Sequence, residues 1–424
     1  MYSYIIEGGT RLKGDVDISG SKNATLPILA ASILNKDIVN LYNVPNIEDV
    51  KITLKILEYL NCKIRKVNNK IVVDSKKMKN APIPEELMRK LRSSVILAGA
   101  ILSRFDKVEF SYPGGCDIGA RPIDLHLSSF KKLGIKVEEE NGKIRCFREN
   151  VNNSLIHLDF PSVGATENII LSTVLIMNTQ TIIENAAMEP EIVDLCNFLN
   201  KLGAKIEGAG TSTIKVNGVF KLKKGISYNI MPDRIEAGTF LVAAAITRGE
   251  ITINKVNPND LKSIISKLEE CGAKLIINKS SIYIKMDSRV KAIEIKTMPY
   301  PGFPTDMQAI FTSLLCTAKG ISIVTENIFE NRFKYISELR RMGAKVKQND
   351  KSIIIYGKRR LLGANVLSTD LRGGASLVLA ALSAKGESKI SNLDYILRGY
   401  DNLDTKLNKL GANIRRYYSD DDLK

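Results

Sequence analysis

LGAKI, at residues 202–206, has five near copies in the same chain: LNCKI at 60–64, LGIKV at 133–137, CGAKL at 271–275, MGAKV at 342–346 and LGANI at 410–414. Successive copies lie 73, 69, 69, 71 and 68 residues apart, and that regularity marks an internal repeat. Ahead of the string stands an apolar stripe with charged residues between its members. Val50, Leu54, Leu57 and Leu60 form one, Ile192, Leu195, Leu199 and Leu202 another, and Phe333, Ile336, Leu339 and Met342 a third. The spacing predicts amphipathic helices. The glycine then sits where a helix ends in a left-handed residue, and Asn61 fills that place in the first copy. Alternating segments follow, such as KIRKVNNKIVVD (63–74) and KLIINKSSIYIKM (274–286), each split by a polar turn into two strands.

A second helix recurs, apolar nearly all round and rich in alanine and serine. Its copies are ATLPILAASIL (24–34), SSVILAGAILSRF (93–105), TENIILSTVLI (166–176), EAGTFLVAAAI (236–246), TDMQAIFTSLL (305–315) and GGASLVLAALS (373–383). A helix without a polar face must be surrounded by protein, and small residues let such helices approach closely. Short strands such as TIIENA, ITINKV and ISIVTEN come next. Each unit therefore reads buried helix, strand, amphipathic helix, strand, strand. Six units exceed one core. The expected fold is α/β, two inside-out α/β barrel domains of three repeats each, with buried helices inside and strands outside. The first domain is placed at 22–229 and the second at 1–21 with 230–424, and the strand before Gly20 is expected to pair with the last one.

The 424 residues are 44% apolar, 25% charged and 6% aromatic, which suits two or three globular domains and excludes a disordered tail or a disulfide scaffold. The longest apolar run, Val95 to Leu102, is far short of the roughly 20 residues of a membrane span. The start, MYSYIIEGGTRLKG, lacks the basic-then-apolar order of a signal peptide. A cytoplasmic protein without a membrane partner is expected. Cys62, Cys116, Cys146, Cys196, Cys271 and Cys316 show no CxxC pair and no metal-ligand spacing, so they read as reduced thiols. Only His126 and His157 are present, which excludes a His-rich metal site. The net charge of +16 is spread along the chain without a dense basic run, favouring a solvated surface over nucleic-acid binding.

The unusual residues are not on the amphipathic helices but just before, or in the first turn of, the buried ones: Lys22 and Asn23, Arg92, Thr166 and Glu167, Arg234 and Glu236, Asp306, Asp370 and Arg372. A buried charge must be paired or used, and helix N-termini favour anions. Local caps and pairs are expected of Arg234, Glu236 and Glu167, and function of Lys22, Arg92 and Asp306. As alternatives, Asp306 is a helix N-cap and Arg398 a loop arginine. The stretch YPGGCDIGARPIDLH (112–126) holds three glycines and two prolines around Cys116. A charged, glycine-rich loop is the wrong place for an inert buried thiol, so Cys116 is a functional candidate. Asp117 opposes its ionisation. His126 is either a supporting residue of the site or a helix-start residue, and His157, in LIHLDF, is structural.

The segments GSKNATLPILAA, LRSSVILAGAILSRF, PGGCDIGARPIDLH, PSVGATEN, PDRIEAGTFLVAAAI, PGFPTDMQAIF, ENRF, TDLRGGASLVLA and LRGYDNLDTKL, in this order, resemble the enolpyruvyl transferase family, within it the UDP-N-acetylglucosamine 1-carboxyvinyltransferases. The resemblance covers essentially the whole chain and implies the double inside-out barrel, with the first strand in the second domain. It implies transfer of enolpyruvyl from phosphoenolpyruvate to the 3′-hydroxyl of UDP-N-acetylglucosamine, with phosphate released and neither cofactor nor metal required. Such chemistry needs an acid for C3 of the enol, a base for the hydroxyl and cations for phosphate and carboxylate.

By the same resemblance Cys116 is the proton donor, on a catalytic loop at 112–122, and Asp306 the base. Lys22, Arg121 and Arg398 surround phosphoenolpyruvate, with Asp370 and Arg372 near them. Asn23 bonds the reacting hydroxyl region. Arg92, the run Arg121, Pro122, Ile123, Asp124 and Leu125, the run Phe160, Pro161, Ser162 and Val163, and Ile328 contact the nucleotide sugar, and Arg332 of ENRF binds substrate. Phe160 stands where some members carry lysine, which removes a phosphate contact. Gly373 and Gly374 are expected to loosen a helix start that is often alanine and serine. The sister 5-enolpyruvylshikimate-3-phosphate synthases match less well, since their first motif reads SKS and the PGGC loop is missing. A non-catalytic nucleotide-sugar-binding paralogue need not keep Lys22, Cys116, Asp306 and Arg398.

Overall fold

The computed structural model of the chain describes residues 2–67, 69–114, 123–149 and 151–418, with only the backbone at Arg92. The described residues form two compact units, one of 20–231 and one of 2–19 with 232–418. Each has its own apolar core.

All six repeat strings end an amphipathic helix as expected. Asn61, Gly134, Gly203, Gly272, Gly343 and Gly411 have φ between 66° and 98°. The turn they make is the same in five copies: the N–H one residue beyond reaches back to a leucine carbonyl, as Ala204 does to Leu199 at 3.0 Å and Cys62 to Leu57 at 2.9 Å. That is the Schellman pattern, and it delivers the chain directly into the next strand.

In the unit 20–231 the buried helices are Lys22–Ala31, Ile96–Phe105 and Val163–Thr173. In the other unit they are Arg234–Thr247, Gln308–Leu315 and Leu371–Ser383, of which the first two are buried at every residue. Within the second unit the three helices pack on one another; in the first, Ile96–Phe105 packs on both others. The second buried helix of each unit starts with a tight 3-10 turn, Arg92–Val95 and Thr305–Met307.

Each repeat also owns a sheet. In the fifth, Glu294–Lys296, Ile321–Thr325, Ser352–Tyr356 and Lys345–Asn349 lie in that order, the first pair parallel and the rest antiparallel. The parallel strand before the buried helix is an addition to the expected repeat; among the described residues it is found in five of six sheets, while Lys107–Ser111, Lys143–Arg148 and Ile135–Glu140 form a three-stranded one. It closes each unit on itself. Ile226–Asn229 pairs with Ile38–Tyr42 at the far end of its unit in sequence, and Lys13–Asp17 pairs with Glu250–Asn254. The first strand, Tyr2–Glu7, lies between Glu387–Ser391 and the last strand, Asn413–Tyr418, antiparallel to both. Among the described residues, no helix is long and apolar enough to cross a membrane.

Candidate active site

Asp306 lies in the short turn Thr305–Met307 that opens a buried helix. It is held by two arginines. Arg332 Nη2 donates to Oδ1 at 2.7 Å and Arg372 Nη2 to Oδ2 at 3.0 Å. Both guanidinium side chains are 4% exposed, whereas Asp306 keeps a quarter of its side chain in contact with solvent. Arg372 also lies over the Tyr400 ring, 5.3 Å from its centre, and the Tyr400 hydroxyl meets Thr239 Oγ1 at 3.0 Å. Burial works against the charge on Arg372, but Asp306 and then Tyr400 hold its pKa above the ordinary arginine value. Charge-assisted contacts of this kind are short and directional, so they orient the Asp306 carboxylate.

Glu326 organises the same neighbourhood, and nothing in the sequence pattern singles it out. It is 1% exposed. Its Oε1 accepts from Thr297 Oγ1 and from the N–H groups of Ile328 and Phe329, while Oε2 accepts from Thr305 Oγ1, next to Asp306. The half-buried Ile328 therefore sits in a loop pinned to the helix start that carries Asp306. Asp370 is the N-cap of Leu371–Ser383, its Oδ1 accepting from the N–H groups of Arg372 and Gly373 at 3.0 and 2.9 Å. This cap corrects the expected loosening at Gly373 and Gly374. A Cβ at Gly373 would stand 2.6 Å from Asp370 Oδ2 and 2.9 Å from Tyr335 Cβ, and one at Gly374 2.8 Å from Ser368 Oγ. Both positions are close-packed, Gly373 against the cap and Tyr335 and Gly374 against Ser368 and Ile396. Arg398 follows the short helix Asp394–Leu397 and is half-buried.

In the unit 20–231, Lys22 opens the helix Lys22–Ala31 with Asn23 behind it, after Ser21 has capped the helix through Ala24 N–H. Lys22 Nζ pairs with Asp49 Oδ2 at 3.0 Å, and Asp49 is fully buried. Arg92 starts the tight turn Arg92–Val95; its side chain lies outside the described atoms. Cys116, Arg121 and Pro122 lie outside the described residues. Ile123 is buried, Asp124 exposed and Leu125 half-buried, at the start of Asp124–Lys132. Ser162 caps Val163–Thr173 by accepting from Ala165 N–H at 3.3 Å, with Pro161 and Val163 half-buried beside it and Phe160 39% exposed.

Glu236 forms the local pair expected of it, accepting from Lys406 Nζ and from Ser19 N–H, both at 2.7 Å. Arg234 lies over the Tyr300 ring. Glu167 is buried, and burial first, then Glu191 and Glu189, push its carboxyl well above the usual carboxylate range. His157 is exposed on Ser154–His157, 3.4 Å from Glu184. The five described cysteines are buried and unbridged; burial pushes Cys62 to about 11 and Cys146, Cys196, Cys271 and Cys316 to about 12. Such thiols do not ionise at neutral pH. Among the described residues, no group of three or more His, Cys, Asp or Glu side chains could hold a metal ion.

The sequence profile of the EPSP synthase (3-phosphoshikimate 1-carboxyvinyltransferase) family matches residues 6–407. The chain is 50% identical over 417 residues to UDP-N-acetylglucosamine 1-carboxyvinyltransferase 2 of Caldanaerobacter subterraneus, covering 98% of this chain and all of the relative. It is 47% identical over 420 residues to UDP-N-acetylglucosamine 1-carboxyvinyltransferase of Finegoldia magna, covering 98% and 99%. In fold it is similar to the enolpyruvyl transferase NikO from Streptomyces tendae (TM-score 0.89, 23% identity, 99% of both chains) and to EPSP synthase from Acinetobacter baumannii (TM-score 0.75, 18% identity, 99% and 100%).

Proposed function

The chain belongs to the EPSP synthase family of enolpyruvyl transferases, and from that membership we propose that it is a UDP-N-acetylglucosamine 1-carboxyvinyltransferase. It transfers enolpyruvyl from phosphoenolpyruvate to the 3′-hydroxyl of UDP-N-acetylglucosamine and releases phosphate. The observation that carries the choice of acceptor is the identity of 45–50% over nearly the full chain to relatives of that name, against 18% to a solved EPSP synthase.

The reaction is an addition followed by an elimination. The sugar hydroxyl adds to C2 of phosphoenolpyruvate while C3 gains a proton, giving a tetrahedral ketal that still carries the phosphate. Loss of a proton from C3 then expels phosphate and restores the double bond in the product. Cys116 supplies the proton to C3 and Asp306 takes the one from the hydroxyl. The clamp of Arg332 and Arg372 supports that role for Asp306, because it fixes the carboxylate while leaving it partly exposed. Lys22, Arg121 and Arg398 hold the phosphate and carboxylate of phosphoenolpyruvate, with Arg372 beside them and Asp370 shaping the helix start that presents Arg372. Asn23 bonds the hydroxyl region. Arg92, Arg121 to Leu125, Phe160 to Val163 and Ile328 take the nucleotide sugar.

In this reading each unit is an inside-out barrel of three repeats, and the protein works in the cytoplasm at the opening step of peptidoglycan synthesis, serving cell shape and division through the wall. Mass spectrometry of the reaction mixture tests it. A UDP-N-acetylglucosamine heavier by one enolpyruvyl group is the expected product, and unchanged nucleotide sugar beside consumed phosphoenolpyruvate would contradict it.

A further inference from the structure

The six repeats can be compared with one another at the place where the parallel strand ends. In the third, Leu158 N–H donates to the Glu184 carbonyl at 3.1 Å, and in the fifth, Thr297 N–H donates to the Thr325 carbonyl at 3.0 Å; the first, fourth and sixth repeats make the same bond. The residue after that carbonyl therefore holds an equivalent position in each. In four copies it is Asn43, Asn185, Lys255 or Asn392, with φ between 53° and 60°. Asparagine suits such a left-handed turn because its short polar side chain tolerates it. Asn43 and Asn185 also reach back across the turn, their Nδ2 donating to the Ile230 and Leu158 carbonyls at 2.9 and 2.7 Å.

The fifth copy departs from this. Its equivalent residue is Glu326, which is 1% exposed and does not take a left-handed φ. Asn327, one residue later, makes the reach across the turn instead, its Nδ2 donating to the Thr297 carbonyl at 3.1 Å. The turn is thus closed without the Glu326 side chain, and burying a carboxylate is costly. Against that cost stand four donors. Oε1 accepts from Thr297 Oγ1 at 2.8 Å and from the N–H groups of Ile328 and Phe329 at 2.8 and 3.2 Å, and Oε2 accepts from Thr305 Oγ1 at 2.9 Å. Asparagine brings one acceptor oxygen where the carboxylate brings two. From Thr305 and Phe329 the contacts run on to Asp306. Thr305 precedes it in the chain, and the Phe329 ring centre lies 5.5 Å from the guanidinium of Arg332, whose Nη2 donates to Asp306 Oδ1.

We infer that Glu326 is a positioning residue of the reaction and is dispensable to the fold. Its Oε2 sets Thr305, and through it the carboxylate of Asp306, while its Oε1 holds the segment of Ile328 against which the nucleotide sugar binds. The inference rests on Asp306 being the base and UDP-N-acetylglucosamine the acceptor, and it adds one residue through which sugar binding and base placement are joined.

Phosphate release by variants tests the two oxygens apart. Thr305→Val keeps the shape and removes the donor to Oε2 alone. Its kcat should fall about tenfold or more while KM for UDP-N-acetylglucosamine stays within about threefold. Thr305→Ser returns the hydroxyl and should recover kcat to within about threefold. Glu326→Asn installs the residue of the first, third and sixth repeats. It should fold, with the circular dichroism of the wild type and a cooperative melt, yet lose about tenfold in kcat and gain about tenfold in KM. A Thr305→Val variant within about threefold of wild-type kcat, or a Thr305→Ser variant as slow as the valine, would overturn the inference. So would a Glu326→Asn variant that keeps both constants or one that fails to fold. A wild type silent with UDP-N-acetylglucosamine would overturn the acceptor reading and this inference with it, whereas an active wild type with unaffected variants overturns the inference alone.

Discussion

Arg372 and Asp306, 66 residues apart in the chain, meet at 3.0 Å, and Arg332 holds the other oxygen of the same carboxylate at 2.7 Å. Both arginine side chains are buried, whereas Asp306 keeps a quarter of its side chain in contact with solvent. Truncating Asp306 to asparagine should lower kcat by about 10²- to 10⁴-fold, the usual worth of a positioned base. Arg372→Lys should also lower activity, because lysine lacks the planar group that lies over Tyr400. Initial rates at saturating substrate read both; an Asp306→Asn variant within tenfold of wild type would remove the base from the account.

Burial holds the thiols of the five described cysteines near 11 or 12, and Cys116 lies outside the described residues. If its role is to protonate C3, a carboxylic acid can replace it. Cys116→Asp should turn over and resist thiol-alkylating epoxides such as fosfomycin. Collapse of activity in this variant would count against the acid role.

Two buried glutamates make the fold sensitive to pH. Burial, against the pull of Lys406, raises Glu236 from the usual 4.5 to about 7, and Glu167 is raised well above 4.5 as well. For a carboxyl whose folded pKa is raised, the native state keeps a proton that the unfolded chain has released. Stability therefore falls as pH rises from 4.5 towards the folded value, by about 3 kcal/mol for Glu236 on reaching pH 7. Glu167→Gln imitates the protonated form. It should raise the thermal midpoint more at pH 8 than at pH 5, and an equal shift at both would contradict the assignment.

Gly373→Ala would ordinarily stabilise a helix by about 1 kcal/mol. Here the added methyl meets Asp370 and Tyr335, so the variant should instead lose about 1–3 kcal/mol in urea unfolding. A gain in stability would mean that the cap has room.

Phe160 is exposed at the start of the segment proposed to take the nucleotide sugar. Phe160→Lys should lower KM for the nucleotide sugar several-fold, on the order of one exposed charge-assisted contact. No change in KM would place residue 160 away from the phosphates.

The repeat was legible because its signal is a backbone conformation. Six helix ends need a left-handed residue, and Asn61 was readable there for the same reason as the glycines. The parallel strands were not legible. Glu294–Lys296 and Asn365–Leu367 are three residues long and bury one side chain each, Ile295 and Val366, too few to show alternation. Asp306, Arg332 and Arg372 were all legible as candidates, but their convergence needs the fold. Glu326 and Tyr400 were not, because each is a single polar residue in an ordinary strand-end or loop context. Only the structure shows Glu326 binding four donors and Tyr400 lying under Arg372.

The acceptor is the central claim, and phosphate release measures it most directly. The purified protein should release phosphate from phosphoenolpyruvate when UDP-N-acetylglucosamine is added and not when shikimate 3-phosphate replaces it. Release with shikimate 3-phosphate would assign the chain to the sister reaction, and silence with both, despite saturable nucleotide-sugar binding, would make it a non-catalytic binding protein.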